Sequence, residues 1–229
     1  MAPRLRIEPI GHERQPVIVI DDFVPDPAAL RARAEALTYQ PMGPYYPGLR
    51  AEVAAADVAA YLLPLLDVVA QVFALAGPPG LISAGYSIVT TLPAALGPIQ
   101  RIPHIDGLEA ERIALLHFLC REDKGGTAFY RHRSTGFETI DAARHPAYDA
   151  ALRQDVARYG LPPPGYIAGD TPLFECIARF AAVPNRALVY RSHTLHCADL
   201  PADLDLTPDP RRARLTVNTF LMGPPRNDG

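Results

Sequence analysis

The sequence predicts an α+β domain with a mainly β core, a sandwich or barrel that carries helices on one outer face. Three observations predict it. The 25 prolines and 16 glycines punctuate the chain too often for a helical bundle, because proline lacks the donor a helix interior needs. Helical periodicity gathers mainly in the first third. From residue 81 onward, short apolar and β-branched runs follow one another between turn residues. With 229 residues, 48% of them apolar, one domain with one sizeable core is the simplest division. It is read as 1–229, with a helix-rich support at 1–80 and a β core at 81–221 that holds an insert at 134–171.

The elements follow in order. Val17-Ile18-Val19-Ile20 is the first expected strand, ending at Asp21-Asp22-Phe23. Asp26 then offers an N-cap oxygen and Pro27 the fixed φ of a first helical position. Ala29, Leu30, Ala34 and Leu37 recur at helical spacing, so helix is expected from Pro27 to about Leu37. Tyr39 to Gly48 (YQPMGPYYPG) reads as a loop, and Glu52 to Ala76 as two helical pieces broken near Pro64. Strands are expected at Leu81 to Thr91, Arg112 to Cys120, Thr127 to Arg131, Phe180 to Val183, Arg186 to Tyr190 and Arg214 to Leu221. Ile140 to Tyr159, polar and alanine-rich, predicts one or two inserted helices. The insert around it, with Tyr148, Tyr159 and Tyr166, is where substrate selectivity and a lid are expected.

Charge and hydropathy exclude several classes. The formal net charge is −3 with no long basic run, which is not the footprint of a nucleic-acid binder. The longest apolar stretch, Val53 to Ala76, is interrupted by Asp57, Pro64 and Asp67, so no membrane span is expected. The opening Met1-Ala2-Pro3-Arg4 starts no signal core, and a soluble, cytoplasmic protein is the expectation. Cys120, Cys176 and Cys197 are odd in number and widely spaced, which fits neither a disulfide framework nor a cysteine zinc site.

The chemistry lies in the histidines. His104-Ile105-Asp106 places an imidazole and a carboxylate two residues apart, so on an extended segment both leave one face. Seven His and 16 Asp in 229 residues would give about 0.5 such triplets by chance, so a third ligand is needed. The stretch after the strand ALVY offers His193 and His196. Two histidines and one carboxylate are the ligand set of mononuclear non-haem Fe(II) sites with open positions. In the last strand Arg212, Arg214, Thr216 and Asn218 share one face. An arginine turned inward there needs an anion, and its planar fork suits a carboxylate.

Taken together, SIVTT leading to QRIPHID, the strand IALLHFL, the Gly-Gly turn and strand GGTAFY, ALVYRSHTLH and RLTVNTF resemble the Fe(II)/2-oxoglutarate dioxygenase superfamily, in its prolyl-hydroxylase-like branch. The resemblance covers roughly Ile82 to Leu221. It implies a double-stranded β-helix, or jelly roll, with N-terminal helices packed on one sheet. It implies Fe(II) held by His104, Asp106 and His196, and 2-oxoglutarate gripped by Arg214, with Arg212 and His193 as rivals. Tyr86 and Phe118 could line the cosubstrate pocket, and Arg131-His132-Arg133 could meet an acidic substrate. Asp106, where a small residue would open a halide site, points to hydroxylation or desaturation. The implied partners are O₂ and a small-molecule or peptide substrate; oligomeric state is open. The alternative is a non-catalytic barrel that binds a metal or small anion with the same residues. His117, between apolar neighbours, is expected to be a hydrogen-bonded structural histidine.

Overall fold

The structure is a computed structural model that describes residues 2–43, 45–121 and 124–224. Strands β1 (Arg4–Ile10) and β2 (Gln15–Asp21) form an antiparallel hairpin. Helix α1 (Pro27–Glu35) starts where the cap signal places it: the Asp26 carboxylate accepts from the Ala29 N–H at 2.9 Å, with Pro27 in the first turn. Short β3 (Gln40–Pro41) pairs with β4 (Gly48–Glu52). Helices α2 (Ala55–Leu62) and α3 (Leu66–Val72) are separated by a 3₁₀ turn at Leu63–Leu65, where Pro64 withholds a donor.

Next come β5 (Gly80–Val89), β6 (Arg112–Phe118), β7 (Gly126–His132), helix α4 (His145–Tyr159), β8 (Phe174–Ala181), β9 (Ala187–Arg191), β10 (His196–Asp199) and β11 (Leu215–Met222). One sheet runs in the order β1-β2-β9-β6-β11-β5-β4-β3, the other β10-β7-β8. The strand pairs are antiparallel. The mainly β, jelly-roll-like architecture places the large sheet in the middle of the molecule.

Strand alternation gives that sheet two apolar faces. On one, Ile18, Ile20, Leu115 and Val189 share a buried cluster with Val58, Leu62, Val69 and Phe73 of α2 and α3 and the residue after it. On the other, Val17, Val19, Leu116 and Leu188 meet Phe129 and Phe180 of the small sheet. Each such side chain contributes roughly 1.5–3 kcal/mol by leaving water. Ala55–Val72 is long and apolar enough to cross a bilayer by length and composition. Here its buried residues Val58, Leu62, Leu65 and Val69 line the first cluster.

Several elements depart from the sequence reading. The helix-rich first third also carries four strands. Strand β1 has one neighbour and a largely exposed surface, so its RLRIEPI shows no buried apolar run. The expected loop at 39–48 leads into β4, whose five residues pair along β5; Glu52 ends that strand rather than opening a helix. Strand β8 begins at Phe174 instead of Phe180; Glu175 to Ala178 are half-buried and mixed in polarity, which hides its start in the sequence. The insert is firmly packed: Ile140, Tyr148 and Ile167 share a buried cluster with Ala128, Tyr130, Leu173 and Leu195.

Candidate metal centre

His104 follows a 3₁₀ turn at Pro98–Arg101, and its backbone forms a one-rung antiparallel bridge with His196, the first residue of β10. The Asp106 N–H donates to the Ser192 carbonyl at 2.7 Å, which pins the same loop to the turn before β10. The side chains of His104, Asp106 and His196 consequently converge, with one ligand atom from each lying within 4.8 Å of the others. His104 Nε2 is 3.7 Å from Asp106 Oδ1, and His196 Nε2 is 3.4 Å from Asp106 Oδ2. The Nδ1–H of His196 donates to the Thr194 carbonyl at 2.9 Å. A carbonyl can only accept, so Nδ1 carries a proton and Nε2 is the ring nitrogen left to bind a metal ion. Tyr190, with its ring centre 4.8 Å away, packs against the His196 ring.

The electrostatics favour a charged acid and a neutral His104. Burial, the His196 ring and Arg50 push the His104 imidazole down to about 4, against the pull of Asp106. Burial alone would raise the Asp106 carboxyl. The two imidazoles and Arg50 more than offset that and hold it at about 2. For His196, burial works downward, but the Asp106 charge and the Thr194 carbonyl outweigh it and raise the imidazole. Two imidazoles and one carboxylate without competing cations between them are the donor set that suits a divalent first-row metal with open positions.

A cavity of about 580 Å³ opens from this triad along the inner face of the large sheet. Arg214 lies in it, 4% exposed. Its Nη2–H donates to the Gly126 carbonyl at 2.7 Å, its guanidinium lies over the Phe118 ring at 5.4 Å, and its Nε is buried with no partner. The Gly-Gly turn that carries this carbonyl is closely packed against the neighbouring strands. Gly125 holds φ at 83°, and a Cβ there would lie 2.1 Å from the Asp199 carbonyl oxygen; one on Gly126 would lie 2.2 Å from that of Phe180. Thr216 and Asn218 line the cavity from the same face of β11. Arg212 is outside, with a 68% exposed side chain paired to Asp205 at 2.6 Å.

The other residues singled out by sequence fall elsewhere. Tyr86 does not join the cavity. Strand alternation turns it to the opposite face, where it packs with Leu30, Ala34 and Val217 and its hydroxyl donates to the Leu30 carbonyl at 3.4 Å. His193 is not among the converging ligands: its buried imidazole is pushed down to about 4, and its backbone carbonyl accepts from the Ile140 N–H. His117 Nε2 bonds the Asn185 side-chain oxygen at 3.0 Å, on the face opposite Phe118. Arg131, His132 and Arg133 are engaged within the insert and its neighbours, by Glu138 and Glu175, Asp155, and Asp170 respectively.

Tyr46 and Arg50 are among the cavity residues that escaped the sequence reading. Both lie in or beside the stretch read as a loop running into a helix. The legible signal was the short alternation of GLRAE, with Leu49 and Ala51 on one face and Arg50 on the other.

Comparison with known proteins agrees with the architecture. The chain superposes on a crystal structure of the non-haem alpha ketoglutarate dependent carbocyclase SnoK from nogalamycin biosynthesis, with a TM-score of 0.51 at 12% identity, over 93% of this chain and 81% of that one. It superposes on HygX from Streptomyces hygroscopicus, crystallised with nickel, 2-oxoglutarate and hygromycin B, with a TM-score of 0.52 at 12% identity, over 90% and 82%. At such identity the likeness is one of fold. No curated protein matches the chain. Residues 1–221 match the family described as "Family of unknown function (DUF6445)", and the chain belongs to that family.

Proposed function

We propose that the protein is an Fe(II)- and 2-oxoglutarate-dependent oxygenase, a hydroxylase acting on a small molecule or a peptide side chain. The observation that carries this reading is the convergence of His104, Asp106 and His196 at the mouth of a cavity that also holds Arg214. The donor set fits Fe(II): two imidazoles and one carboxylate occupy one side of an ion and leave positions for ligands that react. The likeness in fold to HygX, which was crystallised with iron and, separately, with nickel and 2-oxoglutarate, supports the same choice of metal and cosubstrate.

Bound iron, with 2-oxoglutarate and O₂, would supply the oxidising power to cleave a substrate C–H bond, 2-oxoglutarate being converted to succinate and CO₂. The chain does the positioning. Thr194 holds His196 in the tautomer that presents Nε2, and the backbone bridge keeps His104 beside it. Asp106 arrives already ionised. Arg214, tied through Nη2 to the Gly126 carbonyl and left with an unpaired Nε, would receive the distal carboxylate of 2-oxoglutarate. Apolar side chains such as Ile102 and Ile105 line the cavity beside the ligands.

The test is direct. Protein purified without oxygen and given Fe(II) should bind 2-oxoglutarate and, on exposure to air, form succinate. His104→Ala and Asp106→Ala should abolish succinate formation at an unchanged melting temperature. Unchanged succinate formation in either variant overturns the reading.

A further inference from the structure

Three arginines line the cavity, Arg50, Arg112 and Arg214, and each has a buried Nε with no hydrogen-bond partner. Among the described residues no other arginine has such an atom. Against these three guanidinium groups the lining sets one carboxylate, Asp106. A buried, unpaired guanidinium N–H is costly, so the cavity is electrostatically incomplete without acceptors. Three cations and one acid leave two positive charges. A divalent metal and the 2-oxoglutarate dianion cancel each other and leave that excess where it was.

The three positions differ in what already faces them. Arg214 is buried, 4% exposed, and is the arginine that the oxygenase reading gives to the cosubstrate. Arg112 covers the Phe220 ring at 5.1 Å and lies 3.9 Å from the exposed Glu109, which offsets it in part. Arg50 has no carboxylate within salt-bridge distance among the described residues. It lies flat over the Tyr46 ring, 4.3 Å from the centroid, which fixes the fork. Strand register sets it beside the reaction centre's wall: Arg50 pairs with Ser87, and Ser87 with Thr216, which faces the cavity. Its charge reaches both His104 and Asp106. Much of the cavity's lining is apolar or aromatic, Met42, Tyr45, Ile99, Ile105 and Ile167 among it.

We propose that the substrate is an acid: Arg50 binds an oxyanion, carboxylate or phosphate, carried on an apolar or aromatic body, while Arg214 holds the cosubstrate. The division of labour between the two arginines rests on the oxygenase reading; the demand of Arg50 for an anion does not. Guanidinium geometry serves carboxylate and phosphate alike, and charge-assisted bonds of this kind discriminate strongly against neutral analogues of the same shape.

The experiment uses full-length protein loaded with Ni(II) and saturated with 2-oxoglutarate, titrated calorimetrically with benzoate, phenyl phosphate and the neutral benzamide. At least one anion should bind about tenfold or more tighter than benzamide. Arg50→Gln should erase that preference, and Arg50→Lys, which keeps the charge but loses the fork, should keep part of it. The 2-oxoglutarate affinity of both variants should stay within about threefold of the parent. Melting curves establish that each variant is folded, and Arg50→Lys carries the test if Arg50→Gln is not. Benzamide binding as tightly as both anions, absence of anion binding, or a preference that survives Arg50→Gln overturns the proposal. So does a loss of about tenfold in 2-oxoglutarate affinity in Arg50→Gln, which would assign Arg50 to the cosubstrate. Failure of the parent to bind 2-oxoglutarate counts against the oxygenase reading alone, and the anion titration is then read on the Ni(II) protein.

Discussion

His104 and His196 exchange both backbone hydrogen bonds, each N–H donating to the other's carbonyl at 2.9 Å. The main chain, not the side chains, brings the two imidazoles together, with ring centres 4.5 Å apart. The site is thereby assembled in advance of any ion. Removing one ring leaves the rung intact, so His196→Ala should lose metal without losing the fold. Metal affinity should fall by more than the roughly 10–100-fold that loss of an outer hydrogen-bonding partner costs. Anaerobic titration with Fe(II) or Mn(II), beside a melting curve, reads both quantities. Parent-like metal affinity in the variant would remove His196 from the ligand set.

Arg214 and Arg212 separate a buried anchor from a surface ion pair. Arg214→Gln should weaken 2-oxoglutarate binding by roughly 10–100-fold, the worth of about 1.5–3 kcal/mol for a hydrogen-bonded charge. Arg212→Gln should leave it unchanged, because an exposed pair with Asp205 contributes little. Calorimetric titration of the metal-loaded variants with 2-oxoglutarate distinguishes the two. Equal losses would mean that the cavity's positive charge, rather than one fork, holds the cosubstrate.

The sequence made most of the long-strand core and the metal triplet legible, for a shared reason. The apolar runs in Arg112–Phe118 and Leu215–Met222 exceed what a surface segment carries, and H-x-D is a compact pattern that survives any loop geometry. What stayed hidden depends on pairing over distance. The His196 strand is four residues long and becomes a strand by its pairing with β7. Strand β4 has no apolar run to announce it, which is why Arg50 went unnoticed. Whether Tyr86 lines the pocket or the core is not legible from alternation, which tells which residues share a face, while only the register against Val217 and Ala51 tells which face is inward.

That register makes a prediction of its own. Tyr86→Phe removes a hydroxyl whose hydrogen bond to the Leu30 carbonyl is long at 3.4 Å. The ring stays in its cluster with Leu30 and Ile88. The variant should lose about 0.5–1.5 kcal/mol of stability by chemical denaturation and bind 2-oxoglutarate as the parent does. A marked loss of cosubstrate affinity at retained stability would return Tyr86 to the cavity.

His117 couples the fold to acid. Burial holds its imidazole down to about 4, whereas in the unfolded chain it titrates near ~6.5. Between those values the unfolded chain carries the proton and the folded chain resists it. Stability is therefore complete above about pH 6.5, declines as the pH falls, and levels off below about pH 4. At about pH 4.5 the share lost through His117 is on the order of 2 kcal/mol. His193, also held at about 4 by burial, adds a decline of the same sign. His117→Gln removes the titrating group at the cost of its bond to Asn185, which itself ties down Val24 through two hydrogen bonds. The variant should be less stable than the parent at about pH 7 yet lose less on going to about pH 4.5, as measured by denaturant midpoints at the two values. Parallel losses in the two proteins would mean that His117 takes up its proton as readily folded as unfolded.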